Sequence, residues 1–479
     1  ASDQRIRADA VPQDPGQGRS AGHLEEAQGC EGVEVTFWVL GLTSALAGPL
    51  TVKEVQESVR AHAPKLAAAE AKVEAARAKA MGSRGALDPV VSSKSKRATG
   101  AYDRLVTDQQ LTVTTPWGPS FSAGHRLGLG DFPTYDGGAE TDPAGEWHAT
   151  VRSPLMAGLG MTDHRAGMLV ADRKVVEQTA RRDHTLQQLL GRSALAHAKW
   201  VAAGRKLALS NDLLRLAEQR QAAIDRRVAE GAVPPMDALD NHRAVLSRSA
   251  ARAAAEQVFV EAGVALSLYL RDDQGLPRVP GLEELPTARA PAVHDLAENS
   301  LVEHALGNRP ELQALAASRE AAEVDLRLAR ATLRPKVDGS LSVSQTVLSP
   351  QNAWTAGVEA SLPLAMRKAR GSVGAARARL LELDAAVQWQ SDQVSAEVAQ
   401  AVRARDAAET WWRLSRQAVD QAEAVLELEQ RAYELGASDL FQLTQREVTL
   451  ARERSGEITA WLALVAADAR LRTATATWM

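Results

Sequence analysis

Ten histidines and one cysteine are the residues of this chain that could hold a metal or supply a nucleophile, and their spacing organises neither chemistry. His164, His184 and His197 share one long periodic segment, yet there is no HExxH pair and no cysteine partner, so packed or solvated histidines are expected. Cys30 stands alone, which excludes an internal disulfide and any thiolate cluster. The glycine-rich run GHRLGLGD at 124–131 departs from GxGxxG and precedes no helical pattern, so it is not a phosphate cradle. A nucleophile elbow, a P-loop and a paired-carboxylate arrangement are all missing. The sequence therefore predicts no enzyme: no catalytic residue, no cofactor and no metal site.

What must position the remaining polar residues is helix. The stretch 431–455 (RAYELGASDLFQLTQREVTLARERS) interrupts a long apolar periodicity with Gly436, a residue suited to the left-handed position that ends a helix. Ser438 is placed to cap the helix that follows. The same device occurs at 226–249, where Gly231 is the stop and Pro234 and Pro235 fall where a first helical turn tolerates proline. Two sharp helical hairpins are predicted.

Charge is balanced, Lys+Arg 56 against Asp+Glu 60, with both signs interspersed, which argues against nucleic acid as a partner. Aromatic residues make up only 4%, while Ala, Leu, Glu and Arg abound, as in long helices and coiled coils. No apolar run reaches the ~18 residues of a membrane-spanning helix. If the chain enters a membrane, it must do so as strands.

Residues 1–33 lack periodicity and read as a disordered or non-native leader. Residues 34–47 offer a short apolar core ending in Ala45-Leu46-Ala47, which matches a signal peptide, although a basic flank is missing and a buried strand is the alternative. From Thr51 a helix is predicted with Leu66, Ala69, Val73, Ala76 and Ala80 on one face, ending ahead of Pro89. This segment returns: Pro64 aligns with Pro310 and Pro89 with Pro335, both 246 residues apart, whereas Gly231 and Gly436 are 205 apart. A tandem duplication follows, with 41 extra residues in the first copy between Pro89 and Gly231.

In each copy the period then changes to two. Residues 337–364 alternate through Leu341, Val343, Trp354, Val358 and Leu362, and predict a strand pair turning near 349–352. The first copy has a longer strand pair at 90–155, with a Gly- and Pro-rich loop or additional hairpin such as 131–145. Such strands fit a membrane β-barrel or an ordinary sheet, and Trp117, Trp147 and Trp354 near strand ends suit an interfacial belt. Long helices follow at 165–230 and 369–435, the second with a heptad seam through Val373, Leu380, Val387 and Val394. Return helices are expected at 235–270 and 439–477. The first structural repeat is thus 48–270, a Pro-rich connector spans 271–297, and the second repeat is 298–479.

These motifs carry a resemblance. The opening LTVKEV…APKLAAAEAKVEAA, its echo NRPELQAL…LARATLRPKV, the junctions VRSPL and ASLPL, and the hairpins EGAVPPMDAL and YELGASDLFQL resemble, in this duplicated order, the TolC-like outer-membrane efflux protein family. The resemblance implies a mainly α chain with a membrane β-barrel portion. It implies a homotrimer whose chains contribute four strands each to a shared 12-stranded barrel, and long α-helical hairpins to a periplasmic tunnel. Such a protein would be the exit duct of a tripartite efflux or type I secretion system in the outer membrane of a Gram-negative bacterium. Its partners would be a periplasmic adaptor, an inner-membrane pump and outer-membrane lipid, and its cargo small molecules, metals or proteins.

In the family a tyrosine before the tip glycine and acidic residues after it ring the closed periplasmic entrance. Tyr433 matches the tyrosine three before Gly436, but Gln442 and Gln445 stand six and nine beyond it, where the acids are expected. Beyond Gly231 the same places hold Asp237 and Asp240. Three copies of those carboxylates would favour cations; as plain residues they are also what a helix dipole favours in a first turn. The competing function is a soluble coiled-coil scaffold of the envelope, with the alternating segments as a small cap sheet.

Overall fold

The computed structural model describes residues 48–133, 140–288, 297–348 and 351–478. The expected leader at 1–33 with Cys30, the expected signal segment at 34–47, and parts of the 131–145 loop, the 271–297 connector and the 349–352 turn lie outside those residues. The first half runs α1 (Val52–His62), α2 (Pro64–Arg84), β1 (Val90–Ala98), β2 (Arg104–Thr114), β3 (Ser120–Gly130), β4 (Glu146–Pro154), α3 (Asp163–Ala229) and α4 (Pro235–Ser267). The second runs α5 (Glu298–Asn308), α6 (Pro310–Ala331), β5 (Lys336–Thr346), β6 (Asn352–Ser361), α7 (Arg367–Glu434) and α8 (Leu440–Ala474).

Prolines set the first joint. The helical period runs unbroken from Thr51, yet the chain breaks at Ala63, which is extended (φ −71°, ψ 115°) because the ring of Pro64 excludes a helical predecessor. Pro64 then opens α2, and Arg309 with Pro310 repeats the joint between α5 and α6. Thr51 caps α1 reciprocally: its hydroxyl accepts the Glu54 amide at 3.3 Å, and the Thr51 amide donates to the Glu54 carboxylate at 2.7 Å.

Helices α3 and α7 contain 67 and 68 residues. At 1.5 Å per residue each is about 100 Å long, far beyond the reach of one core. Burial is accordingly distributed in clusters along them. Where α1, α3, α4 and α8 meet, Val55, Trp200, Leu266, Ile458 and Trp461 form one; Leu301, Ala305, Val398 and Leu471 join α5, α7 and α8 in another. Leu326 and Ala329 of α6 close on Val373, with Ala376 and Leu380 of the heptad seam beside them.

The strands form one antiparallel sheet in the order β1-β2-β3-β4-β5-β6. Six strands, not the four expected, are present among the described residues. Strands β1 and β4 occupy the places of β5 and β6, next to the flanking helices, and the hairpin β2–β3 is what the first half adds. Leu105, Leu111 and Val113 pair with Leu129, Ala123 and Phe121 on one face, with the polar pair Gln109 and His125 between them. The stretch 131–145, expected as a loop or additional hairpin, therefore connects β3 to β4, and the added hairpin lies before it at β2–β3.

Candidate functional site: hairpin tips and strand wall

Both tips close by the same local chemistry. Gly231 (φ +70°) and Gly436 (φ +74°) are left-handed, and each follows the last helical turn. The amides of Ala232 and Ala437 return to the carbonyls of Arg227 and Ala432 at 2.8 Å, while the glycine amides reach Val228 and Tyr433 at 3.0 and 3.1 Å. These paired bonds satisfy carbonyls the helix end would orphan, and only glycine adopts that backbone without a Cβ penalty. The cap of α8 is Asp439 rather than the expected Ser438: its carboxylate accepts the Gln442 amide at 2.8 Å. Ser438 instead donates its hydroxyl to Glu429 of α7, so it ties the hairpin's two arms.

Of the sequence-predicted residues, Tyr433 and Asp237 are half-buried at their turns, and Gln442, Gln445 and Asp240 are exposed. Asp240 lies 3.9 Å from Arg243 of its own helix. Tyr433 and Asp237 belong to separate hairpins, α7–α8 and α3–α4.

Sequence reasoning missed the group that ties those hairpins together. Glu447 of α8 is 4% exposed and accepts from Arg220 of α3 and from Arg248 of α4, the latter at 3.1 Å. Arg220 also approaches Thr444 Oγ1 at 3.4 Å, and Arg248 donates to the Leu213 carbonyl at 3.0 Å. A buried carboxylate between two guanidiniums is thus fully paired and spans three helices. Its sequence signal is faint: Glu447 stands on the buried row of Leu443 and Leu450, where an apolar residue would be the default. Further along, Asn241 of α4 holds α3 through the Ala217 carbonyl (3.1 Å) and Gln221 (2.8 Å), while Arg446 and Arg454 of α8 meet Glu429 and Glu423 of α7 at 3.3 and 2.8 Å.

Two polar groups, one buried and one half-buried, fasten the helices away from the tips. His197 donates its Nε2–H to the Leu50 carbonyl at 2.9 Å, and burial drives its pKa below the ordinary imidazole value despite that bond. Burial pushes the Glu311 carboxyl up, but hydrogen bonding from His184 (3.1 Å) and the charge of Arg309 outweigh it and hold it below the usual carboxylate value.

The sheet has two chemically distinct faces. One carries Val91, Leu105, Leu111, Phe121, Leu129, Trp147, Val151, Leu341, Trp354 and Val358, all exposed. Trp147 and Trp354 (61% and 65% exposed) stand at the strand ends far from the helices, and Trp117 (61%) at the near end. On the opposite face a single row crosses four strands in register: Lys94, Asp108, Arg126, Glu146. Arg126 lies 3.6 Å from Asp108 and 3.2 Å from Glu146, and His148 reaches Asp108 at 2.9 Å. Serines and threonines complete that face on β5.

A family model described as outer membrane efflux protein matches residues 301–477. No curated protein matches the chain in sequence. Among solved structures, a membrane protein from Pseudomonas aeruginosa superposes with a TM-score of 0.62 at 20% identity, covering 88% of this chain and 93% of that one. The outer membrane protein VceC from Vibrio cholerae gives 0.60 at 17%, covering 88% and 95%. The open-state MtrE outer membrane channel of Neisseria gonorrhoeae gives 0.63 at 17%, covering 88% of each chain. Residues 301–477 are thus an outer membrane efflux protein domain, and the chain that carries it resembles the TolC-like outer-membrane efflux family in the order of its motifs and in its fold.

Proposed function

We propose that this protein is the outer-membrane exit duct of a tripartite efflux or type I secretion system, a passive channel rather than an enzyme. The observation that carries this is the two-faced sheet: a mainly apolar face in the open, broken by polar residues such as Arg97, Gln109 and His125, and backed by a polar, charged face. An apolar patch of that extent is costly in water and appropriate to lipid. A soluble scaffold would leave it wet. Open sheet edges are not tolerated in lipid, so β1 and β6 call for other copies of the chain. The homotrimer supplies them, and exposed Leu381, Trp389, Leu414 and Leu428 on α7 suit contacts between helices of neighbouring copies.

In this arrangement α3, α4, α7 and α8 of three chains form the periplasmic tunnel. The two halves are copies of one unit, and the tips with Gly231, Asp237, Asp240, Tyr433, Gly436, Gln442 and Gln445 face the adaptor and pump. Cargo would be small molecules, metals or proteins delivered by that pump. Reconstitution in planar lipid bilayers tests the proposal: discrete ion-conducting steps support it, and a purified, folded chain that never conducts, even with its tips loosened, contradicts it.

A further inference from the structure

The duct as expected from resemblance takes four strands from each chain, yet this chain holds six in unbroken register. The additional hairpin β2–β3 is built as wall. Its eleven cross-strand pairs, Arg104↔Gly130 to Thr114↔Ser120, are followed directly by pairing of β3 to β4. Both faces of the sheet continue into it, although the pair Gln109 and His125 interrupts the apolar one. Phe121 continues the apolar face between Val113 and Val151, and Arg126 continues the charged row between Asp108 and Glu146. A plug or surface flap would have no reason to keep that polarity.

The hairpin is also pinned at its helix-side turn. Thr162, whose hydroxyl accepts the Arg165 amide at 3.0 Å to cap α3, donates the same hydroxyl to the Pro116 carbonyl at 3.1 Å. The Gly160 amide reaches the Trp117 carbonyl at 3.2 Å. The turn is thus seated where the strand wall meets the tunnel helices.

The free edges are unlike: β1 carries Lys94, Lys96 and Arg97 and no acid, whereas β6 carries Glu359 and no base. Unlike edges join head to tail and close rings. With six antiparallel strands per chain, β6 of one copy meets β1 of the next antiparallel, so the ladder stays regular around the ring.

Resting on the trimeric duct proposed above, we infer that the β2–β3 hairpin enlarges the shared barrel from twelve strands to eighteen and gives this duct a porin-width outer mouth. With strands about 4.8 Å apart and tilted about 40°, the backbone diameter rises from about 24 Å to about 36 Å. Eighteen strands lie in the range whose lumen is an aqueous channel, whereas about eight leave one filled by side chains. The duct would pass bulkier cargo at its outer end than a twelve-stranded barrel admits.

The test uses the full chain in a Cys30→Ser background, in bilayers of outer-membrane lipid, with two readouts. First, Ser122→Cys and Ala123→Cys, neighbours on β3 facing opposite sides, are exposed to a water-soluble thiol reagent during conductance recording. The expected result is stepwise block for Ser122→Cys and none for Ala123→Cys, because lipid covers the latter. Second, residues 104–140 are removed to join β1 to β4 by a short turn, and the largest polyethylene glycol entering from the outer side is measured. A cut-off diameter about one-third smaller than that of the intact chain is expected. Equal labelling of both cysteines, or an unchanged polymer cut-off, overturns the inference while a conducting trimer leaves the duct standing. An intact chain that neither trimerises nor conducts overturns both. If the deletion variant does not fold, the cysteine pair alone decides.

Discussion

Glu447 of α8 and Arg248 of α4 meet 3.1 Å apart although 199 residues separate them in sequence, and Arg220 of α3 closes on the same carboxylate. Each return helix is thereby fastened to its neighbour's hairpin just behind the tips. The pairing matters less for net stability than for what its loss would strand. Removing one partner of a buried ion group leaves uncompensated charge and costs about 3–5 kcal/mol, whereas replacing the whole group by apolar residues is often neutral. Glu447→Ala is therefore expected to lower the thermal midpoint markedly in detergent, followed by circular dichroism. The triple change Glu447→Leu, Arg220→Met, Arg248→Met should recover most of that loss. Equal damage from both would show that the group does more than fasten the helices.

The tip glycines give a second expectation. A Cβ at Gly231 or Gly436 meets nothing within 4 Å, so the cost of substitution is backbone alone. Gly231→Ala and Gly436→Ala should each destabilise by about 1–2 kcal/mol, the left-handed penalty, and Asn by less. Guanidinium unfolding of the four variants checks the order. Alanine variants as stable as the parent would mean that the turns relax to another geometry.

Within the wall, Gly124 is required by contact rather than by φ. A Cβ there would stand 2.4 Å from the Gln109 carbonyl oxygen and 2.9 Å from His148 Nε2, the nitrogen bonded to Asp108. Gly124→Val should displace His148 and the β2–β3 ladder, reducing the yield of heat-modifiable oligomer on gels. Gly100→Val, in a turn with nothing within 4 Å but with φ +129°, should strain only its own backbone and spare assembly.

His197 sets a pH dependence whose sign follows from its depressed pKa. Above the unfolded value of 6.5 both states are neutral and the Leu50 tie contributes in full. As pH falls from 6.5 through the lower folded value, the unfolded chain takes the proton first and stability drops. Glu311, also depressed, adds a separate loss below 4.5. In His197→Gln the upper part of the acid loss should vanish while the lower part persists; an unaltered curve between pH 7 and 5 would contradict this assignment.

Tyr433 and Asp237 sit half-buried at the two tips. In the proposed trimer they help hold the entrance shut, so Tyr433→Phe with Asp237→Ala should raise single-channel conductance. Unchanged conductance together with unchanged adaptor docking would remove both residues from the gate.

Much of the fold was legible because two periods mark it. The heptad of Val373, Leu380, Val387 and Val394 and the left-handed stops at Gly231 and Gly436 are local signals, and helices obey local signals. The strand count was missed for a physical reason: 90–155 reads as one long strand pair, but Pro116 with Gly118 and Pro119 form a turn between β2 and β3, and Gly124 is buried where a ladder leaves no room for a side chain. The α1–α2 break was hidden because the apolar period continues across Pro64 while the backbone cannot. Partners of Glu447 were out of reach, since pairing across 227 residues leaves no spacing to read.

The central claim is that this chain assembles in the outer membrane through its sheet, and mass with location tests it most directly. The full-length chain should fractionate with outer membranes, require detergent for extraction, and scatter light as three copies once bound detergent is subtracted. A water-soluble monomer or dimer with its apolar strand face intact would contradict the account.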